Sequence, residues 1–257
     1  MKNKLKFLPL LFALPLTTGI CGASLHAAQQ SLPIESAANS SPLYGLIIVS
    51  IVALLMAVIA AFLLKKGVDY SSVFLTKALP TASFVSAAII LLYAGILIFS
   101  LFEGFSGLTL VIALLSVYAC VSIIALGKYK LAERDDQSYC IFSAVPVFWI
   151  AFILVVTFRE KIADPIISNY VFLILSYISI LLFGYATCAH VLGKKRKHIA
   201  VFACFIGIFF ILVELLTPLF GEGYSFATAF DAKDLLPLLA FLVIMPFYTA
   251  EITRKKD

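Results

Sequence analysis

The sequence predicts an all-α, polytopic transmembrane helical bundle, with seven spans after a signal peptide or eight if that segment is retained. Three observations predict it. First, 63% of the 257 residues are hydrophobic and only 13% are charged, where soluble proteins carry about a quarter charged residues. Second, the apolar residues fall into blocks of about 18 to 26, each long enough at ~1.5 Å per residue to cross a hydrocarbon core of ~30 Å. Third, basic residues gather at the ends of these blocks and favour alternate ends, as cytoplasmic loops do. Backbone groups in lipid must be paired within each segment, which selects helices. The blocks do not alternate apolar with polar residues, so a β-barrel is excluded.

Taken in order, Lys2, Lys4 and Lys6 precede the apolar stretch 7–18 and then small residues, the layout of a secretory signal peptide over residues 1–27. Cys21-Gly22-Ala23 offers the better cleavage site and Leu25-His26-Ala27 a second. Cys21 follows Ile20 rather than Gly or Ala, so no lipid anchor is expected. The alternative is an uncleaved helix over residues 5–28, against which Pro9 and Pro15 count. Residues 28–42 are polar and read as an external linker. Residues 43–257 form the seven-span domain, with apolar segments at 43–64, 81–102, 108–126, 140–158, 166–192, 199–219 and 235–250.

The loop Lys194-Lys195-Arg196-Lys197 lies between two of these runs and is placed in the cytoplasm. Sixteen of the 19 Lys and Arg residues then fall on the same side: Lys2, Lys4, Lys6, Lys65, Lys66, Lys77, Lys128, Lys130, Arg134, those four, Arg254, Lys255 and Lys256. Only Arg159, Lys161 and Lys233 fall outside. The C-terminus is therefore expected in the cytoplasm of a bacterial-type plasma membrane, with the mature N-terminus outside if the signal is cleaved. Lys194, Lys195, Arg196 and Lys197 are candidate contacts for anionic lipid heads, at ~1 kcal/mol per basic residue, although topology alone accounts for their charge. Basic residues confined to helix ends do not indicate nucleic-acid binding.

Small and polar residues mark one face of several spans: Ala53, Ala57 and Ala61; Ser86, Tyr93 and Ser100; Thr109, Ala113, Ser116, Cys120 and Gly127; Tyr170, Tyr177, Gly184 and Cys188. Such faces let helices approach closely, or they line a polar pathway, for which Tyr93, Tyr170 and Tyr177 are candidate residues. Glu214 is the most informative side chain, being the one acidic residue well inside an apolar run. Ala203 and Gly207 share its face, so it is expected to point into the bundle. A carboxylate there costs several kcal/mol unless it is paired or protonated. It is either a proton or cation site, or a neutral carboxyl bonded to a Tyr or Ser or reaching the outer interface.

Catalytic readings are weaker. Gly104-Phe105-Ser106-Gly107 has the form of a rhomboid-type serine motif, but His190 and His198 lie at the opposite membrane face, too far to take the serine proton. The glycines are expected to make a tight outer turn. The last span holds no lysine for a Schiff base, and two histidines flanking one loop do not make a haem site. The cysteines lack metal-ligand spacing, and no disulfide is expected. Asp164-Pro165 reads as a helix start. Glu222, Asp231 and Asp234 read as solvated residues of the longest outer loop.

The run Val145-Pro146-Val147-Phe148-Trp149, with Phe158-Arg159 and Asp164-Pro165 before Tyr170, resembles a pattern in uncharacterised small multipass proteins of bacteria. That resemblance implies the fold and no activity. Seven spans with an outside N-terminus also match the topology of carriers built as 3+1+3 repeats, but no proline here is followed by the glutamine of their Pro-Gln signature. The expected function is a non-enzymatic accessory or sensor component acting through a membrane protein partner. The alternative is a small-solute or proton-coupled transporter using Glu214. No cofactor or metal is expected, and the bilayer is the one certain partner.

Overall fold

The computed structural model describes residues 8–32, 40–65, 78–128, 138–163, 170–194, 196–220 and 232–253. They form eight helices and no strand: α1 (Leu8–Gln30), α2 (Ser41–Lys65), α3 (Leu79–Glu103), α4 (Gly107–Lys128), α5 (Ser138–Lys161), α6 (Val171–Val191), α7 (Lys197–Phe220) and α8 (Ala232–Thr253). The seven from α2 to α8 are long and apolar enough to cross a membrane, so the chain is a multi-pass membrane protein. Large side chains such as Ile48, Phe99, Tyr118 and Phe148 remain exposed on the outer surface of the bundle. In lipid this costs nothing, because the acyl chains are as apolar as the side chains.

α7 lies at the centre, packing against α1, α2, α6 and α8. Its sequence explains this position. Ala200, Ala203, Cys204 and Gly207 give it small faces, while Phe205, Phe209, Ile211 and Val213 are fully buried around it. A helix apolar all round is one that is covered all round. At Gly207 an added Cβ would come 2.8 Å from Met245 Cε and 3.0 Å from Ser179 Oγ, so glycine sets how closely α6, α7 and α8 meet. α8 in turn packs on α3, α6 and α7, and α3 to α6 pack in succession. α2 touches only α1 and α7 among these stronger contacts.

Trp149 joins four helices. It is completely buried, its Nε1 donates to Ser116 Oγ of α4 at 2.8 Å, Tyr93 of α3 meets it edge-on at 6.0 Å, and Phe241 of α8 stacks on it at 6.2 Å. The faces of small residues go to packing. Ala53 and Ala57 of α2 are buried, as are Ala113, Ser116 and Cys120 of α4.

Side-chain contacts fix the helix directions. Gly127 of α4 meets Ser83 of α3, Cys188 of α6 donates to the Ser143 carbonyl of α5 at 3.1 Å, and Lys161 of α5 pairs with Asp234 of α8. Successive helices therefore alternate, with the α6–α7 loop at one end of the bundle and Lys161 at the other. The α6–α7 connection is short because Gly193 takes a positive φ of 75°. It lets Gly193 N–H donate to the His190 carbonyl and Lys194 N–H to that of Ala189, a Schellman closure.

α1 packs on α7 and α2. An added Cβ at Gly22 would fall 2.8 Å from Val213 Cγ2, Ala23 and Ala27 are buried, and His26 Nδ1 lies 3.1 Å from Thr217 Oγ1. Gly19 meets Leu212 and His26 meets Thr217, so α1 runs the same way as α7. The linker expected over residues 28–42 is shorter, since α1 continues through Gln30 and α2 starts at Ser41. The helix start at Asp164-Pro165 and the loop residues Glu222 and Asp231 lie outside the described residues. At the α3–α4 turn Gly104 is extended, with φ −169°, a conformation open to any residue. Ser106 closes that turn instead, its Oγ accepting from Thr109 N–H at 3.4 Å.

Candidate cation site

Glu214 sits six residues before the end of α7, about 9 Å along the axis from Phe220. It is half-buried. The start of α8 and the end of α5 reach the same level. There Lys161 Nζ lies 3.3 Å from Asp234 Oδ2, and this pair is within electrostatic reach of the Glu214 carboxylate. Tyr177 of α6, completely buried, donates its hydroxyl to the Asp234 backbone carbonyl at 3.2 Å. Three helices thus bring two carboxylates and an ammonium together, and a fourth adds the Tyr177 hydroxyl. When all three are ionised, their charges sum to −1.

A fifth feature is supplied by Pro218, which lies inside α7 four residues after Glu214. Proline has no N–H, so the Glu214 carbonyl loses its usual helical donor. Glu214 therefore presents a carboxylate and an under-bonded backbone oxygen from the same residue. Carbonyls released where a membrane helix is interrupted, together with carboxylates, are suitable ligands for protons or small cations. Among the described residues no Tyr or Ser hydroxyl is hydrogen-bonded to the Glu214 carboxylate.

The sequence candidates separate. Tyr177 belongs to this group through its bond to Asp234. Tyr170 is buried at the N-cap of α6, at the same end of the bundle. Tyr93 packs on Trp149 and is a core residue. Of the basic loop, Lys194 and Arg196 are exposed and Lys197 is half-buried, while Lys195 lies outside the described residues. Asp234 departs from expectation: it belongs to the first turn of α8 and is paired, where a solvated loop residue was expected. Asp234 and Lys161 are 73 positions apart, and no local signal joins them. The spacing of Glu214 and Pro218, by contrast, is visible in the sequence.

Starting about one turn along α6 from Tyr177, a cavity of roughly 30 Å³ lies between α4, α5, α6 and α8, with Ser143, Thr187 and Tyr248 among its walls. Ile150, Ile180 and Phe241 line it as well, and Phe241 stacks on Trp149. Among the described residues no three His, Cys, Asp or Glu side chains converge as metal ligands. No protein-family model matches the chain, and no curated protein or solved structure is significantly similar to it.

Proposed function

We propose that the protein binds a proton or a small cation at the group formed by Glu214, Asp234 and Lys161, and that it carries that ion as a small transporter of a bacterial-type plasma membrane. One observation carries this reading. Glu214 lies within electrostatic reach of an existing carboxylate–ammonium pair and accepts no hydrogen bond among the described residues. A net charge of −1 on a half-buried group at a helix end favours a proton or a cation as its partner. Two further features support transport over static binding: a cavity lies deeper in the bundle, and the apolar Trp149–Phe241 layer adjoins it. Four prolines, Pro146, Pro218, Pro237 and Pro246, lie inside the helices that line these regions and interrupt their hydrogen-bond ladders.

In this reading the basic end with Lys194 faces the cytoplasm and the Glu214 group faces outward, following the bias of basic residues. α1 is retained as an eighth helix, which the contacts of Gly22 and His26 with α7 support. Both termini then lie on the cytoplasmic side.

The test is reconstitution of the purified protein in liposomes carrying a proton or sodium gradient. Wild type is expected to dissipate one of them. Glu214→Gln keeps the side-chain shape, so it should fold and elute normally yet lose the flux. A Glu214→Gln protein as active as wild type refutes the proposal. An accessory role through a partner helix is a second reading, favoured by α2, the least covered of the seven spans. Its outward residues, including Ile48, Ile51, Leu55 and Phe62, are bulky and suit lipid as well as a partner. A stoichiometric membrane protein co-purifying with wild type, combined with absence of flux, promotes that reading.

A further inference from the structure

A groove on the membrane-facing side of the bundle lies at the opposite end from Glu214. α7 forms its floor, and α2 and α6 form its walls, with Val58, Phe62, Leu182, Ile199 and Phe202 lining it and His198 at its mouth. Its volume is about 340 Å³, within the ~300–1,000 Å³ of ligand clefts. The groove is apolar along its length apart from His198 at its mouth, and Lys194 and Arg196 belong to the loop that leads into α7. The Arg196 guanidinium is held 5.5 Å over the ring of Tyr185, one turn along α6 from Leu182. This cation–π contact fixes a planar donor beside the groove. No described carboxylate pairs with Lys194 or Arg196. A fixed cation beside an apolar slot matches a molecule with an anionic head and a hydrocarbon tail. We propose that this groove is a binding site for an anionic phospholipid of the adjoining leaflet. One acyl chain lies between α2 and α6, and the phosphate meets Arg196 and Lys194.

The charge bias of loops explains why basic residues stand at this end. It does not explain a groove beside them or an arginine held on an aromatic ring, and those two features separate a site from a diffuse surface. Equilibrating the full-length protein with vesicles of equal parts phosphatidylglycerol and phosphatidylcholine, then weighing the retained lipid by native mass spectrometry, tests the proposal. Wild type is expected to retain phosphatidylglycerol in preference. Lys194→Gln with Arg196→Gln should weaken that retention about thirtyfold, from the attraction per basic residue at an anionic surface. Arg159→Gln with Lys233→Gln removes two cations from the other end and should leave retention unchanged. Ala61→Phe, which fills the groove without touching charge, should reduce it as well. Should the double variant at the mouth fail to fold, Ala61→Phe decides the matter, since it tests the slot directly. Equal retention of the two lipids by wild type, undiminished retention in Ala61→Phe, or equal losses from the two charge pairs would overturn the proposal.

Discussion

Replacing Gly22 by alanine tests whether α1 is part of the folded protein. The added methyl carbon falls 2.8 Å from Val213 Cγ2 and 3.2 Å from Phe209 Cε2, where carbon atoms in contact prefer about 3.5–4.0 Å. Neither neighbour has room to yield. Val213 is β-branched and stiff at χ1, and both Val213 and Phe209 are fully buried. The helices must separate, and overpacking of this kind costs about 1–3 kcal/mol, or roughly a 5- to 150-fold change in the folding equilibrium at tenfold per 1.4 kcal/mol. Gly95 supplies the internal control, because nothing lies within 4 Å of a Cβ built there. Gly95→Ala should be neutral or slightly stabilising, as alanine favours a helix over glycine by about 1 kcal/mol. The assay is denaturation in detergent followed by Trp149 fluorescence. Equal midpoints for Gly22→Ala and Gly95→Ala would refute the packing of α1 on α7 and favour removal of that segment.

Three other outcomes are expected. Trp149, the only tryptophan, should emit as an apolar, unexposed indole and resist quenching by acrylamide, and Trp149→Phe should lower stability by about 1–3 kcal/mol as the buried Ser116 hydroxyl loses its donor. Cysteine at Phe105, which is 79% exposed, should react with an impermeant thiol reagent in intact cells, whereas cysteine at Lys194 should react only after permeabilisation; the reverse pattern inverts the orientation. Lys161→Gln removes an ammonium paired with Asp234, so cation binding at the outer group should strengthen or its competition with protons should shift, read as displaced pH dependence of flux in liposomes. No change in that dependence separates Lys161 from the ion site.

By itself the sequence determined the class of fold, the seven apolar spans and the bias of basic residues. These properties depend on length, hydropathy and local charge. The span expected over residues 108–126 is Gly107–Lys128 in the structure, and that over 199–219 is Lys197–Phe220. Bilayer thickness sets such bounds residue by residue, without reference to the rest of the chain. Glu214 was legible for the same reason, as a charge where apolar residues belong, and its spacing from Pro218 was there to be read. Which helix lies at the centre was not legible. The spans are all similarly apolar, and α7 differs only in having small residues on several faces, whose meaning depends on partners. The company Glu214 keeps was hidden too. Asp234 and Lys161 each stand at a helix end, where a charge is unremarkable, and only the folded bundle brings the end of α5 to the start of α8. The N-terminal segment shows the limit most plainly. A short apolar run after three lysines fits either a cleaved signal or a helix, and the choice rests on whether α7 offers a surface that Gly19 and Gly22 fit. That complementarity exists between two segments about 190 residues apart, and tertiary structure alone displays it.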